Sequence, residues 1–426
     1  MIRNSERKKV IHCNLMSIFL AAAYNPKAAV IFHAPKSCSH IAYNAFWEMR
    51  LKIEQKNFLD NRNNSGNLFV TGLGDKEAIF GGEKILKDCL LEVAAACRPE
   101  YMIVAAGCAA GVIGDDVESV CKEAEKETGI TVFYVEGSGF MNQKTVDGVL
   151  TLTKVLCRRL VYPLAQCTKD KASIAVFGMN LAFSRLREIN ELNRLLGLFG
   201  FTSVYYPPCG MGLQDFKKMA AVSAVTAVNF LPHNLAATQK FAEAFAATMQ
   251  IDCIYMKLPS TMEGVYRYLM AAGETLCREA DALNIIQNEK RAYEKILEQT
   301  KQSVQGRTYL LAVSLPQRYF DLPPLLEILQ LVGLQLQGIV FCEELTKQEQ
   351  QSHIKILNEQ ITTRYYTETE LTALTADILI TTAPKKCSLK QYCIGFRRIG
   401  RSGIENFLQK LVTAINEQRS LIYENR

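Results

Sequence analysis

One pattern recurs along the chain: a short run of apolar residues, a loop built on glycine or proline, and then a stretch of helical period. A strand apolar along its whole length is buried on both faces, which points to a parallel sheet covered by helices. The first cycle has strands at Ala28 to His33, Leu68 to Thr71, Tyr101 to Ala105 and Thr131 to Val135. Helices are expected over Ile41 to Lys52, Glu83 to Ala96, Val117 to Thr128 and from Phe140 to about Arg159, with Asn61 to Asn67 a polar loop and Gly74 to Gly82 a turn of the chain. The irregular segment Pro163 to Lys171 marks a boundary. A second cycle follows, with strands at Ser173 to Phe177, Ala224 to Phe230 and Asp252 to Met256, and helices over Ser184 to Phe199 and Ala236 to Thr248. The charged helical stretch Glu274 to Gln302 reads as a connector to a third cycle, with strands at Thr308 to Val313, Gln337 to Cys342, Asp377 to Thr381 and Tyr392 to Phe396. The fold class this predicts is α/β, with three doubly wound parallel-sheet domains over residues 1–167, 168–304 and 305–426.

Length and charge narrow the function classes. At 426 residues, the chain exceeds one ordinary core. Its net charge of +6 is too small to imply a nucleic-acid partner. Arg3, Arg7, Lys8 and Lys9 precede an apolar run that Asn25, Pro26 and Lys27 break too early to cross a bilayer, so no membrane partner and a cytoplasmic location are expected. Thiols there stay reduced, and the 14 cysteines read as packing residues or metal ligands before disulfides. Packing is the expectation for Cys89, Cys97, Cys121, Cys157 and Cys277, which lie among apolar neighbours in helical patterns.

The stretch with most chemistry in it runs from Ala105 to Val120. The third apolar run empties into a glycine-rich turn that carries Cys108, and Asp115 and Asp116 stand where a helix begins. Their carboxylates suit the free amides and dipole of a helix start, and Gly129 suits its end. Such a turn lies at the carboxyl edge of an open sheet, where ligands bind. Cys13 and Cys38 occupy comparable places around the first strand. Their spacings, 25 residues to Cys38 and 70 more to Cys108, match no local zinc or ferredoxin pattern. Spacing alone leaves packing and metal ligation both open, and a cluster held by three such thiolates needs a fourth ligand from elsewhere.

Three segments together resemble the nitrogenase component 1 family: His33-Ala34-Pro35-Lys36-Ser37-Cys38, the Phe80-Gly81-Gly82 segment running from Gly74 to Leu86, and Cys108 through Ile113-Gly114-Asp115-Asp116 to Val120. The family includes molybdenum–iron protein subunits, cofactor scaffold proteins and the light-independent protochlorophyllide reductase. The resemblance implies three Rossmann-like domains. It implies that Cys13, Cys38 and Cys108 ligate an iron–sulfur cluster, 4Fe–4S or larger, shared with a second component 1-type subunit. It also implies a separate ATP-dependent iron–sulfur reductase that docks near the cluster. Gly107 would let the backbone approach the inorganic core, and Glu136-Gly137-Ser138-Gly139-Phe140 resembles the segment beside that cluster, giving Gly137 and Ser138 as candidates. Glu118 and Ser119 lean toward the family's α-like position.

The second domain departs from true nitrogenase. Where the catalytic subunit offers a cofactor cysteine after a strand, this chain has Val228-Asn229-Phe230-Leu231-Pro232-His233-Asn234. His233 is a candidate ligand there, against the ordinary reading of a hydrogen-bonding histidine. Dinitrogen reduction is not expected. The third domain offers Lys385, Lys386, Lys390, Arg397, Arg398 and Arg401 with no acidic residue from Pro384 to Gly403, followed by a helix expected near Ile404. Two readings stand side by side for Lys385, Arg397 and Arg398, a pocket for an anionic substrate or cofactor and a solvated or docking face. No GxxxxGKS or GxxxxGKT loop and no Rossmann GxGxxG unit occurs, so neither ATP nor NAD is expected on this chain. The functional expectation is a nitrogenase-like oxidoreductase subunit that relays electrons through its cluster, its catalytic residues unassigned. The alternatives are a non-catalytic scaffold for cofactor assembly and, third, a metal-free binding module.

Overall fold

The computed structural model describes residues 14–22, 25, 27–44, 68–137, 148–178, 186–228, 235–255, 259–314, 322–359, 361–394, 399–417 and 421–423. Contacts divide the chain into two units, one made of 11–186 and 196–257 and the other of 187–195 with 258–426.

The first unit holds two four-stranded sheets. In chain order it contains α1 (Asn14–Ala22), β1 (Ala28–His33), α2 (residues 36–44), β2 (Leu68–Val70), α3 (Asp75–Phe80), α4 (Glu83–Cys97), β3 (Tyr101–Ala106), α5 (Cys108–Ile113), α6 (Val117–Thr128), β4 (Thr131–Glu136) and α7 (Gly148–Leu156). It continues through β5 (Asp170–Phe177), α8 (Leu186–Gly197), β6 (Ser203–Tyr205), α9 (Leu213–Met219), β7 (Val222–Ala227), α10 (Leu235–Met249) and β8 (Asp252–Tyr255), although the middle of α8 groups with the other unit. The sheets run β2-β1-β3-β4 and β6-β5-β7-β8, parallel throughout. In each, the first strand in sequence sits inside the sheet, so the chain reverses direction between it and the third. That reversal is the switch point at which open α/β sheets form crevices.

The absence of alternation in the strand sequences has a direct cause. Along β1, Ala28, Val30 and Phe32 pack into one core while Ala29 and Ile31 pack into another on the opposite face, and β3 divides its side chains likewise. Both faces are covered, so β1 is apolar from Ala28 to Phe32 and β3 throughout.

The second unit contains α11 (Met262–Thr275), α12 (Glu279–Val304), β9 (Thr308–Val313), α13 (Leu322–Leu331), β10 (Gln335–Phe341), α14 (Lys347–Asn358), β11 (Tyr365–Thr367), β12 (Ile378–Thr381), β13 (Gln391–Cys393), α15 (Gly400–Asn416) and β14 (Leu421–Tyr423). Its six strands lie in the order β11-β10-β9-β12-β13-β14, all parallel, the order of a dinucleotide-binding domain. Fold order alone assigns no ligand. No helix among the described residues is long and apolar enough to cross a membrane.

Several boundaries differ from expectation. Gly74 to Gly82 contains a helix, α3, where a plain turn is expected, because the Glu77 carboxylate accepts the Gly74 amide at 3.0 Å and so caps a helical turn. The glycine-rich turn around Cys108 is itself helical. The helix after β1 begins at residue 36, so Cys38 lies in its first turn and not in a loop. In the last domain, α15 starts at Gly400, ahead of Ile404. The strands β6, β11 and β14 are absent from the sequence expectation because each is a three-residue edge strand with at most one buried residue, too short to stand out.

Gly178, just after β5, has φ of +89°, and a Cβ there would overlap the Val228 carbonyl at the end of β7. Gly178→Ala is therefore expected to destabilise the protein by at least about 2 kcal/mol, combining left-handed strain with the overlap. A melting temperature equal to wild type would contradict this.

Candidate metal centre

Register places the candidate ligands. His33, Ala106 and Glu136 are aligned across β1, β3 and β4, so the segments that leave these strands start side by side at one sheet edge. Cys38 follows β1 and Cys108 follows β3, which puts them on the two strands that flank the switch point. Each sits in the first turn of the helix after its strand, and each is half-buried. The Cys38 amide donates to the Pro35 carbonyl at 3.0 Å.

Gly107 and Gly137 face the chain's own interior. A Cβ on Gly107 would lie 3.0 Å from the Ala34 Cβ and 3.1 Å from Leu15 Cδ1; one on Gly137 would lie 2.8 Å from both the Ala106 carbonyl and Leu15 Cδ2. Close packing against Leu15, Ala34 and Ala106 thus accounts for glycine at both positions. Leu15, which touches both glycines, lies two residues after Cys13. Cys13, Ser138, His233, Arg397 and Arg398 fall outside the described residues.

At the same sheet edge lies a buried polar assembly that the sequence reading missed. His33, fully buried, places Nε2 2.8 Å from Asp115 Oδ2 and Nδ1 3.1 Å from Thr71 Oγ1. Burial lowers the His33 pKa, although the hydrogen bond and charge of Asp115 pull it upward. The neutral ring therefore donates from Nε2 to the carboxylate and accepts the Thr71 hydroxyl proton at Nδ1. The other Asp115 oxygen accepts the Gly82 amide at 2.7 Å. Asp116 does what a helix cap should, accepting the Ser119 amide at 3.1 Å at the start of α6. The aspartates thus divide, one capping and one buried. The only sequence signal was the joint presence of the three resembling segments, which this assembly ties together.

Among the cysteines expected to pack, Cys121 and Cys157 are buried and Cys89 is half-buried. Burial raises all three thiols, pushing Cys89 up to about 11 and Cys121 up to about 12. Cys97 and Cys277 are exposed, contrary to the packing expectation, because they sit at the end of α4 and just beyond α11. Among the described residues, no group of three or more His, Cys, Asp or Glu side chains is placed to hold a metal ion. Two soft thiol donors at one sheet edge suit a thiolate-held group, and two are fewer than an iron–sulfur cluster needs.

Around this edge, large apolar side chains stand in solvent. Ile79 and Phe80 at the end of α3 are 75% and 81% exposed, and Val112 on α5 is 79% exposed. The two helices that carry them pack against each other.

Three described residues of the basic stretch in the last domain, Lys385, Lys390 and Arg401, are engaged internally, and Lys386 is exposed. Lys385 pairs with Glu368 at 3.0 Å and hydrogen-bonds the buried Cys342. Lys390 donates to the Ile415 carbonyl at 2.8 Å, and Arg401 pairs with Glu289 at 3.1 Å. The start of α15 already holds an anion, since Ser402 donates its hydroxyl to Glu191 Oε2 at 2.6 Å.

These features define a class: a Rossmann-like α/β chain that presents cysteines at the switch point of its first sheet. The pattern that defines the nitrogenase component 1 type oxidoreductases matches residues 13–401, and the chain belongs to that family. It is 31% identical over 176 residues to the nitrogenase iron-molybdenum cofactor biosynthesis protein NifE of Clostridium pasteurianum, covering 41% of this chain and 35% of that protein. It is 30% identical over 171 residues to the nitrogenase molybdenum-iron protein alpha chain of Methanosarcina barkeri, covering 39% of this chain and 30% of that one. The alignments thus span only about a third of these relatives' own lengths. A solved structure described as nitrogenase Cp1 at pH 6.5 superposes with a TM-score of 0.58 at 17% identity, over 95% of this chain and 88% of that one, which establishes the shared fold.

Proposed function

We propose that this chain is a nitrogenase-like oxidoreductase subunit that holds an iron–sulfur cluster at an interface with a second component 1-type subunit, in a cytoplasmic complex served by an ATP-dependent iron–sulfur reductase. Cys38 and Cys108 would hold the group, with Cys13. The observation that carries the reading is that Cys38 and Cys108 begin the helices after the two adjacent strands at the switch point. Such a cluster supplies a one-electron carrier when bound. The chain's own contribution is to set the thiol-bearing turns on rigid strands and to cover them with packed glycine turns. The exposed Ile79, Phe80 and Val112 surface suits a docking reductase.

The test is iron and acid-labile sulfide content with an EPR spectrum on protein purified without oxygen, alone and with its candidate partner subunit. A colourless, iron-free protein in both preparations would sink the proposal. Phe80→Ala is expected to lower reductase-dependent reduction of the cluster about tenfold with iron content unchanged, since aromatic anchors dominate docking energy. Reduction at wild-type rates would remove that surface from the docking assignment.

A second reading, a scaffold on which a metal cofactor is assembled, is favoured by the NifE relatives and by the absence of a cysteine from Val222 to Asn234. A scaffold releases iron-containing cofactor to a recipient protein, whereas a reductase subunit turns over substrate with ATP and the partner reductase.

A further inference from the structure

We infer that the buried His33–Asp115 pair is a positioning device that fixes the Cys38 and Cys108 turns before any cluster is bound, and so governs how readily the chain loads and keeps one. The inference rests on the reading of those cysteines as ligands. The geometry singles out His33 as the hub. Its carbonyl accepts the Gly107 amide at 3.0 Å, just ahead of α5, and its imidazole holds Asp115, two residues beyond the end of α5. The short helix that starts with Cys108 is thus hung from one residue at both ends. It needs those anchors: it has six residues, of which only Ala110 is buried, and so short a helix has little stability of its own.

The same residue controls the other turn. His33 ends β1 and leads into the segment to Cys38, and Thr71 Oγ1 both contacts the His33 ring and accepts the Ala34 amide at 3.3 Å. The Ala34 carbonyl takes the Gly72 and Leu73 amides, each at 3.1 Å. On the far side, Asp115 holds the Gly82 amide, while the next residue gives its own amide to Glu83 Oε1 at 2.9 Å. Gly82 has no room for a side chain, since a Cβ there would lie 2.7 Å from Asp115 Oδ2 and 2.9 Å from His33 Cε1. The three resembling segments therefore meet at one hydrogen-bonded pair. These bonds of His33 and Asp115 run to Thr71 and to the backbone of these turns, so the two act as positioning residues.

Two replacements of similar size separate the links. In His33→Gln, the amide nitrogen falls near the position of Nε2 and keeps the bond to Asp115; in His33→Asn, it falls near Nδ1 and keeps only the contact with Thr71. In the metal-free folded protein, His33→Asn is expected to raise the alkylation rates of Cys38 and Cys108, and the amide exchange of residues 108–113, by roughly tenfold or more, as befits loss of a buried charge-assisted bond. Iron retained through gel filtration falls in parallel, and His33→Gln stays near wild type in all three readouts. Gly82→Ala, which pries the pair apart without removing either partner, should reproduce His33→Asn and keeps the proposal testable if that variant does not fold. Wild-type rates and retention in His33→Asn or Gly82→Ala would overturn the inference, and so would a His33→Gln as fast as His33→Asn. Should wild-type protein take up no iron at all, the cluster assignment fails while the alkylation and exchange rates still judge the clasp.

Discussion

Cys108→Ala is expected to abolish cluster retention: iron and acid-labile sulfide, about four of each per interface in the wild type, fall to background, and the EPR signal goes with them. The magnitude follows from the small number of donors. Among the described residues, the chain gathers no three-membered group of metal-ligating side chains, so each thiol carries a large share of its contribution to a shared site. The change should not unfold the protein. Cys108 is half-buried and heads a six-residue helix whose one buried side chain is Ala110, so alanine removes little packing and suits the helix. Circular dichroism and melting temperature near wild type would accompany the loss of iron. Cys121→Ala is the control, since that thiol is buried between α4 and α6 and its removal should lower stability by about 1 kcal/mol while leaving iron in place. Iron retained at wild-type level in Cys108→Ala would withdraw the assignment of that residue.

Much of the first sheet and its edge was legible because the information is local. A doubly buried strand must be apolar throughout, and Tyr101–Ala106 states this within six residues. The end of α6 was equally plain, because Gly129 has φ of +69° and takes the left-handed position that a Cβ disfavours. What the sequence hid is set by distant pairs. Asp115 looks like a second capping residue beside Asp116, and only the fold brings His33, 82 residues earlier, within 2.8 Å of it. In the basic stretch, too, distant partners occupy Lys385 and Arg401, while Arg397 and Arg398 lie outside the described residues. No acidic residue lies within the stretch, but Glu368, Glu289 and Glu191 arrive from other elements to meet Lys385, Arg401 and Ser402. Glycine misled through its chemistry: Gly107 and Gly137 read as room for a ligand, and their bare faces are filled by Leu15, Ala34 and Ala106.

The second large effect is expected at Glu289 in the unit formed by residues 187–195 and 258–426. Arg194 lies between two carboxylates, bonding Glu191 at 2.8 and 2.9 Å and Glu289 at 2.8 Å through two nitrogens, and Arg401 adds a bond to Glu289 at 3.1 Å. The Glu191 and Glu289 side chains are 1% and 7% exposed, so removing one leaves a guanidinium short of its counter-charge in a poorly hydrated place. Glu289→Gln is expected to destabilise this unit by about 3 kcal/mol, the lower end for a broken buried pair because water still reaches part of Arg194. That corresponds to a fall in melting temperature of about 6–12 °C. The pH dependence has a definite sign. Burial raises the Glu289 pKa, but the hydrogen bond and charge of Arg194 together with Arg401 outweigh it, so the net shift is downward. The unfolded chain therefore binds the proton first on acidification. The contribution of Glu289 is complete above its unfolded pKa of about 4.3 and is lost as pH falls through the lowered native value. The protection of α12 and α15 amides, taken against the intrinsic exchange rate at each pH, should fall in wild type between about pH 5 and pH 3, and Glu289→Gln, which has no carboxyl to protonate, should lack that part of the slope. Replacing Arg194 by methionine together with Glu191 and Glu289 by glutamine should be milder than the sum of the single changes, since three of the four charges leave together and Arg401 keeps Glu405 at 3.7 Å. Additive losses would mean that the residues act separately and not as one buried network.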